Sequence, residues 1–159
     1  MKKQRGFTLI ELLVVMAIVG VLSTLALVAI SGTQKQARDT KRRNDIKQYS
    51  LALENYNVTN NAYPALAYGR VNIGLTGAFI TNFMGGTALV DAKTTASCDF
   101  AIATNYNYCY YGTVNDYILT TKLESGTCFQ VCGLANTTLT GGKSGNVTCA
   151  ATHQTCIVP

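Results

Sequence analysis

The chain has 159 residues, 48% of them hydrophobic and only 13% charged, a length that allows one ordinary domain or a small domain with an extension. So low a charge density argues against disorder, and the crowding of strong aliphatics into residues 7–30 argues against a soluble enzyme with one large core. The net charge of +5 does not by itself point to nucleic acid, because Lys2, Lys3 and Arg5 supply three of those charges and the remainder carries +2.

The first predicted element is an apolar helix. From Leu12 to Gln34 there are 23 positions without a charge, and about 20 apolar residues suffice to cross a bilayer core. Leu, Val, Ile, Ala and Met on every side suit such a helix. A cleaved secretory signal fits less well: the run is too long, it contains Glu11, and no small-x-small pair ends it. Glu11 is the informative residue, since a carboxylate near the start of a lipid-exposed helix needs a partner. A cut after Gly6 would give Phe7 a new α-amino group one turn before Glu11. That ammonium could neutralise the carboxylate of its own chain or of a neighbour, and pairing between neighbours would select assembly register.

The run Gly6-Phe7-Thr8-Leu9-Ile10-Glu11, after a basic leader and before the charge-free stretch, closely resembles the signature of type IV prepilins. That family includes pilus subunits, secretion-system pseudopilins and competence pseudopilins. The resemblance implies that a prepilin peptidase cuts between Gly6 and Phe7 and methylates the Phe7 amine. It implies too that Glu11 helps recruit the subunit, through an inner-membrane assembly platform, into a filament of identical copies cored by apolar helices. Many pilins carry a proline inside this helix, whereas here none precedes Pro64. Gly20 and Gly32 are the intrinsic weak points, each costing about 1 kcal/mol relative to alanine, so any kink during assembly is expected at Gly20.

A basic helix follows. Residues 35–47 carry Lys35, Arg38, Lys41, Arg42, Arg43 and Lys47 against Asp39 and Asp45, and Ile46, Tyr49, Leu53 and Tyr56 recur at spacings of three and four. One helix is thus expected from Phe7 to about Asn57, its second half needing a cover for its apolar stripe. The positive-inside rule would leave this basic segment in the cytoplasm, but the prepilin signature and the cysteines place it outside. Arg38, Lys41, Arg42 and Arg43 are the candidate nucleic-acid contacts, since such a cluster attracts DNA or anionic headgroups. A solvated face, or pairing with acids of adjacent subunits, is the preferred alternative, and no aromatics interleave the charges as a single-strand binder would require.

Asn60-Asn61-Ala62-Tyr63-Pro64 ends the helix, because Asn tolerates left-handed geometry and Pro64 moves Tyr63 out of the α region. The stretch from Ala52 to Pro64 also resembles the end of the long helix in pilins and major pseudopilins. In residues 65–97 only a short helix around Ile80, Phe83 and Met84, stopped by Gly85-Gly86, is expected. Strands are predicted at Tyr106–Gly112, Asp116–Leu123 and Thr127–Gly133, with turns at 113–115 and 124–126. Short loops between such runs predict an antiparallel meander of three or more strands. One of its faces would cover the helix stripe. Tyr106, Tyr108, Tyr110 and Tyr111 are expected on a half-buried sheet face rather than in an electron-hopping array. The last 26 residues read as a polar tail.

Cys98, Cys109, Cys128, Cys132, Cys149 and Cys156 all lie in the last 62 residues. An even number so confined predicts disulfides formed in an oxidising compartment, with fifteen pairings open. Zinc is the rival, but no second close pair follows Cys128 and Cys132, and His153 is the sole histidine. Asn57, Asn136 and Asn146 begin N-x-T triplets, taken as chance in a Thr- and Asn-rich chain. No nucleophile–base–orienter set can be assembled, so no catalysis, cofactor or metal is expected.

The expected fold is α+β: a leader (1–6), a transmembrane and filament-core helix (7–33), an amphipathic basic helix (34–59) and a disulfide-stabilised globular head (60–159). The leading functional expectation is a type IV pilus-like structural subunit, in the cytoplasmic membrane before assembly and in an extracellular or envelope filament after it. The alternatives are a type II secretion or competence pseudopilin, or a minor pilin that binds DNA or surface ligands.

Overall fold

The computed structural model describes residues 6–71, 75, 77–91, 93, 97–102, 104–134 and 143–149, without the side chains of 26–31, 134 and 143. Cys156, His153 and Asn136 lie outside the described residues. The chain divides into two compact units, Met1–Ala37 and Arg38–Pro159.

Helix α1 (Leu9–Asn60) begins in the first unit and continues in the second. It runs without a break through Gly20 and Gly32, and its side chains from Leu9 to Leu25 are exposed. Among the described residues no helix is long and apolar enough to cross a membrane. The apolar run continues in the sequence through residues 26–31, whose side chains are outside the description. The helix stops where expected. Asn61 adopts φ 52°, its N–H donates to the Asn57 carbonyl at 2.7 Å, and the Asn60 amide donates to Tyr56 O at 2.9 Å.

The second unit adds β1 (Leu66–Arg70), α2 (Ala78–Phe83), β2 (Tyr108–Gly112), β3 (Asp116–Lys122), β4 (Cys128–Leu134) and β5 (Lys143–Val147). The strands form one antiparallel sheet in chain order, a five-stranded meander. Its three central strands are the ones predicted, each within two residues. The edge strands were not predicted. β1 contains Gly69 and a register irregularity between Leu66 and Gly69, and β5 (KSGNV) has no apolar alternation. Helix α2 falls at the expected place, stopped by Gly85 and Gly86 at φ 68° and 84°.

The apolar stripe of α1 packs on one face of the sheet. Ile46, Tyr49 and Leu53 are fully buried against Tyr108, Tyr110, Tyr117, Leu119 and Phe129, with Tyr56 partly buried among them. Tyr56 also meets Phe79 and Phe83 of α2 at ring separations of 5.8 and 5.3 Å. Tyr117 lies opposite Gly112 on one neighbouring strand and Gly133 on the other, and a Cβ at Gly133 would enter its ring. A Cβ at Gly112 would instead meet the Tyr110 phenol and the Pro64 carbonyl, so each glycine makes room for a different ring.

The opposite sheet face is buried as well, which a one-faced meander did not anticipate. Phe100, Cys109, Ile118, Cys128, Cys132 and Val147 form a second cluster, with Tyr68, Cys98, Tyr111 and Cys149 packed against it. All five described cysteines lie in it, and none faces α1. Cys98 bridges Cys109 and Cys128 bridges Cys149, while Cys132 is likewise disulfide-bonded. Cys128, weighed above as a zinc ligand, is thus committed to a covalent bond. The Cys128–Cys149 bridge ties the chain just after β5 back to β4.

Candidate functional site: the processing motif and the basic helix

Gly6 and Phe7 precede α1 and are exposed. Thr8 and Glu11 form a reciprocal cap at the helix start. The Thr8 N–H and hydroxyl both donate to Glu11 Oε2 at 2.8 Å, and the Glu11 N–H donates to Thr8 Oγ1 at 3.3 Å. This is the capping box that Thr-x-x-Glu encodes, in which two orphan amides of the first turn are satisfied. Its signal stands in the sequence beside the Gly-Phe junction, but Glu11 was read there only through an ammonium partner. In the structure the carboxylate instead has local donors.

The basic helix is arranged differently from a solvated face. Arg42 is 1% exposed, on the same side of α1 as Ile46 and Tyr49, where helical spacing puts it one turn before the first and two before the second. Its Nε donates to Asp91 Oδ2 at 2.7 Å, its Nη1 to Asp39 Oδ1 at 2.9 Å, and its Nη2 to Glu124 Oε1 at 3.2 Å. Arg38 makes a fork on Glu124 at 2.6 and 2.8 Å. Lys93 approaches the same carboxylate at 3.2 Å. Asp39 also accepts the backbone N–H groups of Glu124 and Ser125 in the β3–β4 turn, a turn that Gly126 closes at φ 93°. Tyr106 covers the cluster, its ring centroid 4.5 Å from the Arg42 guanidinium carbon.

Three cations and three carboxylates therefore neutralise one another and join α1, the loop before β2 and the β3–β4 turn. The Arg38 fork, with Lys93 and Arg42 adding and burial opposing, holds Glu124 down at about 2. For Arg42, burial opposes the charge, but hydrogen bonds and attraction from Asp91 and Glu124 outweigh it and hold the guanidinium above its ordinary value.

Of the four candidate nucleic-acid contacts, Arg38 and Arg42 are thus committed to acids of the same chain. Arg43 is half-buried, donates from Nη2 to Asn146 Oδ1 at 3.3 Å and lies over the Phe129 ring at 5.7 Å. Lys41 is exposed. The acids that pair with the arginines belong to this chain, not to an adjacent subunit as the sequence suggested.

The tyrosines are structural anchors. Tyr108 donates to Asp45 Oδ2 at 2.6 Å, Tyr63 and Tyr117 each donate to Glu54 at 2.9 Å, and Tyr49 donates to the Leu89 carbonyl at 2.8 Å. Burial pushes the Tyr49 phenol up to about 12. Among the described residues, no group of His, Cys, Asp and Glu is arranged to hold a metal ion.

The family described as Prokaryotic N-terminal methylation motif matches residues 1–27. The chain is 40% identical over 68 residues to the type II secretion system core protein G of Pseudomonas aeruginosa, covering 43% of this chain and 48% of that protein. It is 40% identical over 67 residues to the same-named protein of Escherichia coli, covering 42% and 46%, and 36% identical over 69 residues to that of Vibrio cholerae, covering 43% and 47%. The chain spans about half the length of the curated relatives it matches. No solved structure matches it. With an N-terminal methylation motif at its start, relatives of this kind over less than half of its length, and a long helix followed by a small disulfide-bonded antiparallel sheet, the chain is similar to pilins and pseudopilins.

Proposed function

We propose that the chain is a pseudopilin, the structural subunit of a pilus-like filament that serves protein secretion. The observation that carries this is the Gly6-Phe7…Glu11 motif at the head of a charge-free run, in a chain whose curated relatives are secretion core proteins. The surface pilus, which the sequence alone put first, draws less support from those relatives. The subunit is inserted with its leader in the cytoplasm and its head outside, held by the apolar run of residues 7–30. A prepilin peptidase removes residues 1–6, and the Phe7 amine is methylated. In the filament, apolar burial between helices supplies cohesion, at roughly 25 cal/mol per Å². A mature Phe7 ammonium would compete with Thr8 for the Glu11 carboxylate, so that pairing with a neighbour fixes register. The inner-membrane platform and further copies of the chain are the partners this function requires.

The test is peptide mass analysis of the N-terminus, in cells with and without the peptidase, together with the fate of a secreted protein when the gene is removed. Methyl-Phe7 at the N-terminus and secreted protein stranded in the envelope are the expected results. An intact Met1 in peptidase-positive cells refutes the proposal, and normal secretion with loss of surface fibres returns the assignment to a pilus. Glu11→Ala should leave cleavage intact and slow assembly.

A further inference from the structure

We propose that Cys132 is bonded to Cys156, and that the sheet face turned away from α1 is the docking site of segment 150–156. The chain has six cysteines. Cys98 is bonded to Cys109 and Cys128 to Cys149, so four are committed to one another. Cys132 is disulfide-bonded as well, and no described cysteine is free. Its partner is none of the other four described cysteines. Either Cys156 of the same chain or a cysteine of a second molecule must supply the other sulfur.

Burial decides between the two. Cys132 is fully buried, inside the outer cluster with Phe100, Cys109, Ile118, Cys128 and Val147. A sulfur so enclosed cannot reach a second molecule unless that cluster opens, whereas a segment of its own chain can fold over it. Forming the bond oxidises two thiols to one disulfide. The two electrons and two protons pass, by thiol–disulfide exchange, to a disulfide oxidant that is itself reduced to two thiols.

The lengths agree. Cys128 and Cys132 lie four residues apart on one face of β4, roughly 13 Å at the rise of a strand. Cys149 stands 5.1 Å from Cys128, Cα to Cα, and so lies within about 18 Å of Cys132. The seven residues 150–156 extend up to about 23–25 Å. That reach brings Cys156 to the usual bridging separation of about 5.5–6 Å. Val147, near the end of β5, pairs with Cys128, so the segment has to return along β4 over its outer face, past Gln130. Apart from its alanines the segment is polar and has little to bury, so a covalent bond rather than apolar contact holds it. The bridges 128–149 and 132–156 then interleave along the chain, each tying a successive segment back to β4.

The full-length chain, purified in detergent without reductant, would be alkylated with N-ethylmaleimide in denaturant and cut with pepsin in acid, where thiolates are too scarce to reshuffle disulfides. Mass spectrometry with electron-transfer fragmentation should find Cys132 linked to Cys156 and no alkylated cysteine. Cys156→Ser should leave one alkylated thiol per chain, at Cys132, with the 98–109 and 128–149 bridges unchanged. The same variant should lose the residues beyond Cys149 to carboxypeptidase Y several-fold faster than the wild-type chain. Alkylation of both Cys132 and Cys156 in the wild-type chain overturns the inference. A dimer on a non-reducing gel that carries either cysteine linked to a second copy overturns it in favour of a bond between molecules. Equal trimming of the two chains overturns the docking of the segment on the sheet.

Discussion

Replacing Arg42 by Met keeps much of the buried volume and removes the charge that three carboxylates share. The consequences differ among those carboxylates. Glu124 would keep Arg38 and Lys93, and Asp39 would keep two backbone donors. Asp91 would lose its cation and keep one backbone donor, the Lys93 N–H at 2.7 Å. Breaking a buried pair by removing one partner typically costs about 3–5 kcal/mol, and because two of the three acids stay satisfied the lower half of that range is expected, roughly 3–4 kcal/mol. Arg38→Met should cost under about 1 kcal/mol, since Arg38 is 37% exposed and partly exposed pairs contribute little. Adding Asp91→Asn to Arg42→Met should recover about 1–2 kcal/mol by removing the stranded charge. Urea unfolding of the detergent-solubilised chain, followed by tyrosine near-ultraviolet circular dichroism, reads all three variants. A cost for Arg42→Met below about 1 kcal/mol, or equal costs at Arg42 and Arg38, would refute the view that the cluster holds the head on its helix.

Because Glu124 is held at about 2 against an ordinary value of 4.5, its stabilisation should be whole above pH 4.5 and drain away as pH falls toward 2. Glu124→Gln should flatten the acid limb of the stability–pH curve, and an unchanged limb would place the acid sensitivity elsewhere. Gly133→Ala puts a methyl into the Tyr117 ring and should cost about 1–3 kcal/mol, with Tyr117→Leu in the same chain relieving part of it in thermal melts. Removing the Cys98–Cys109 bridge by paired serines should cost about 2–3 kcal/mol. Hydrogen exchange should then rise first in β2 and the loop before it while the α1 amides stay protected; simultaneous loss in α1 would contradict two separable layers.

The parts of this molecule written as linear code were the most legible. The Gly-Phe motif and the charge-free run sit within consecutive positions, so no tertiary information is needed to read them, although the Thr8–Glu11 capping box beside them went unread. The stripe of Ile46, Tyr49, Leu53 and Tyr56 was equally plain, because apolar residues repeating at helical spacing have to face a core. Arg42 occupies the same stripe one turn earlier, yet its charge suggested solvent. What draws it inside are Asp91 and Glu124, 49 and 82 residues away, and nothing local announces such partners. The edge strands were hidden for a different reason. β5 is recognised by pairing with β4 from Cys128↔Val147 to Cys132↔Lys143 and by the bridge from Cys128 to Cys149, not by its own residues. Cysteine count restricted the pairing to fifteen patterns, and only the tertiary placement of Cys98 and Cys149, both outside the strands, beside Cys109 and Cys128 chooses among them. Cys109, Ile118, Cys128 and Cys132 share the sheet face turned away from α1, so the head acquires a second, cross-linked core there. That leaves the helix side free of disulfides and dependent on apolar contact and one buried ionic cluster. A head built this way can lose its outer layer to reduction while its hold on the helix is set by Arg42 and the stripe beyond it.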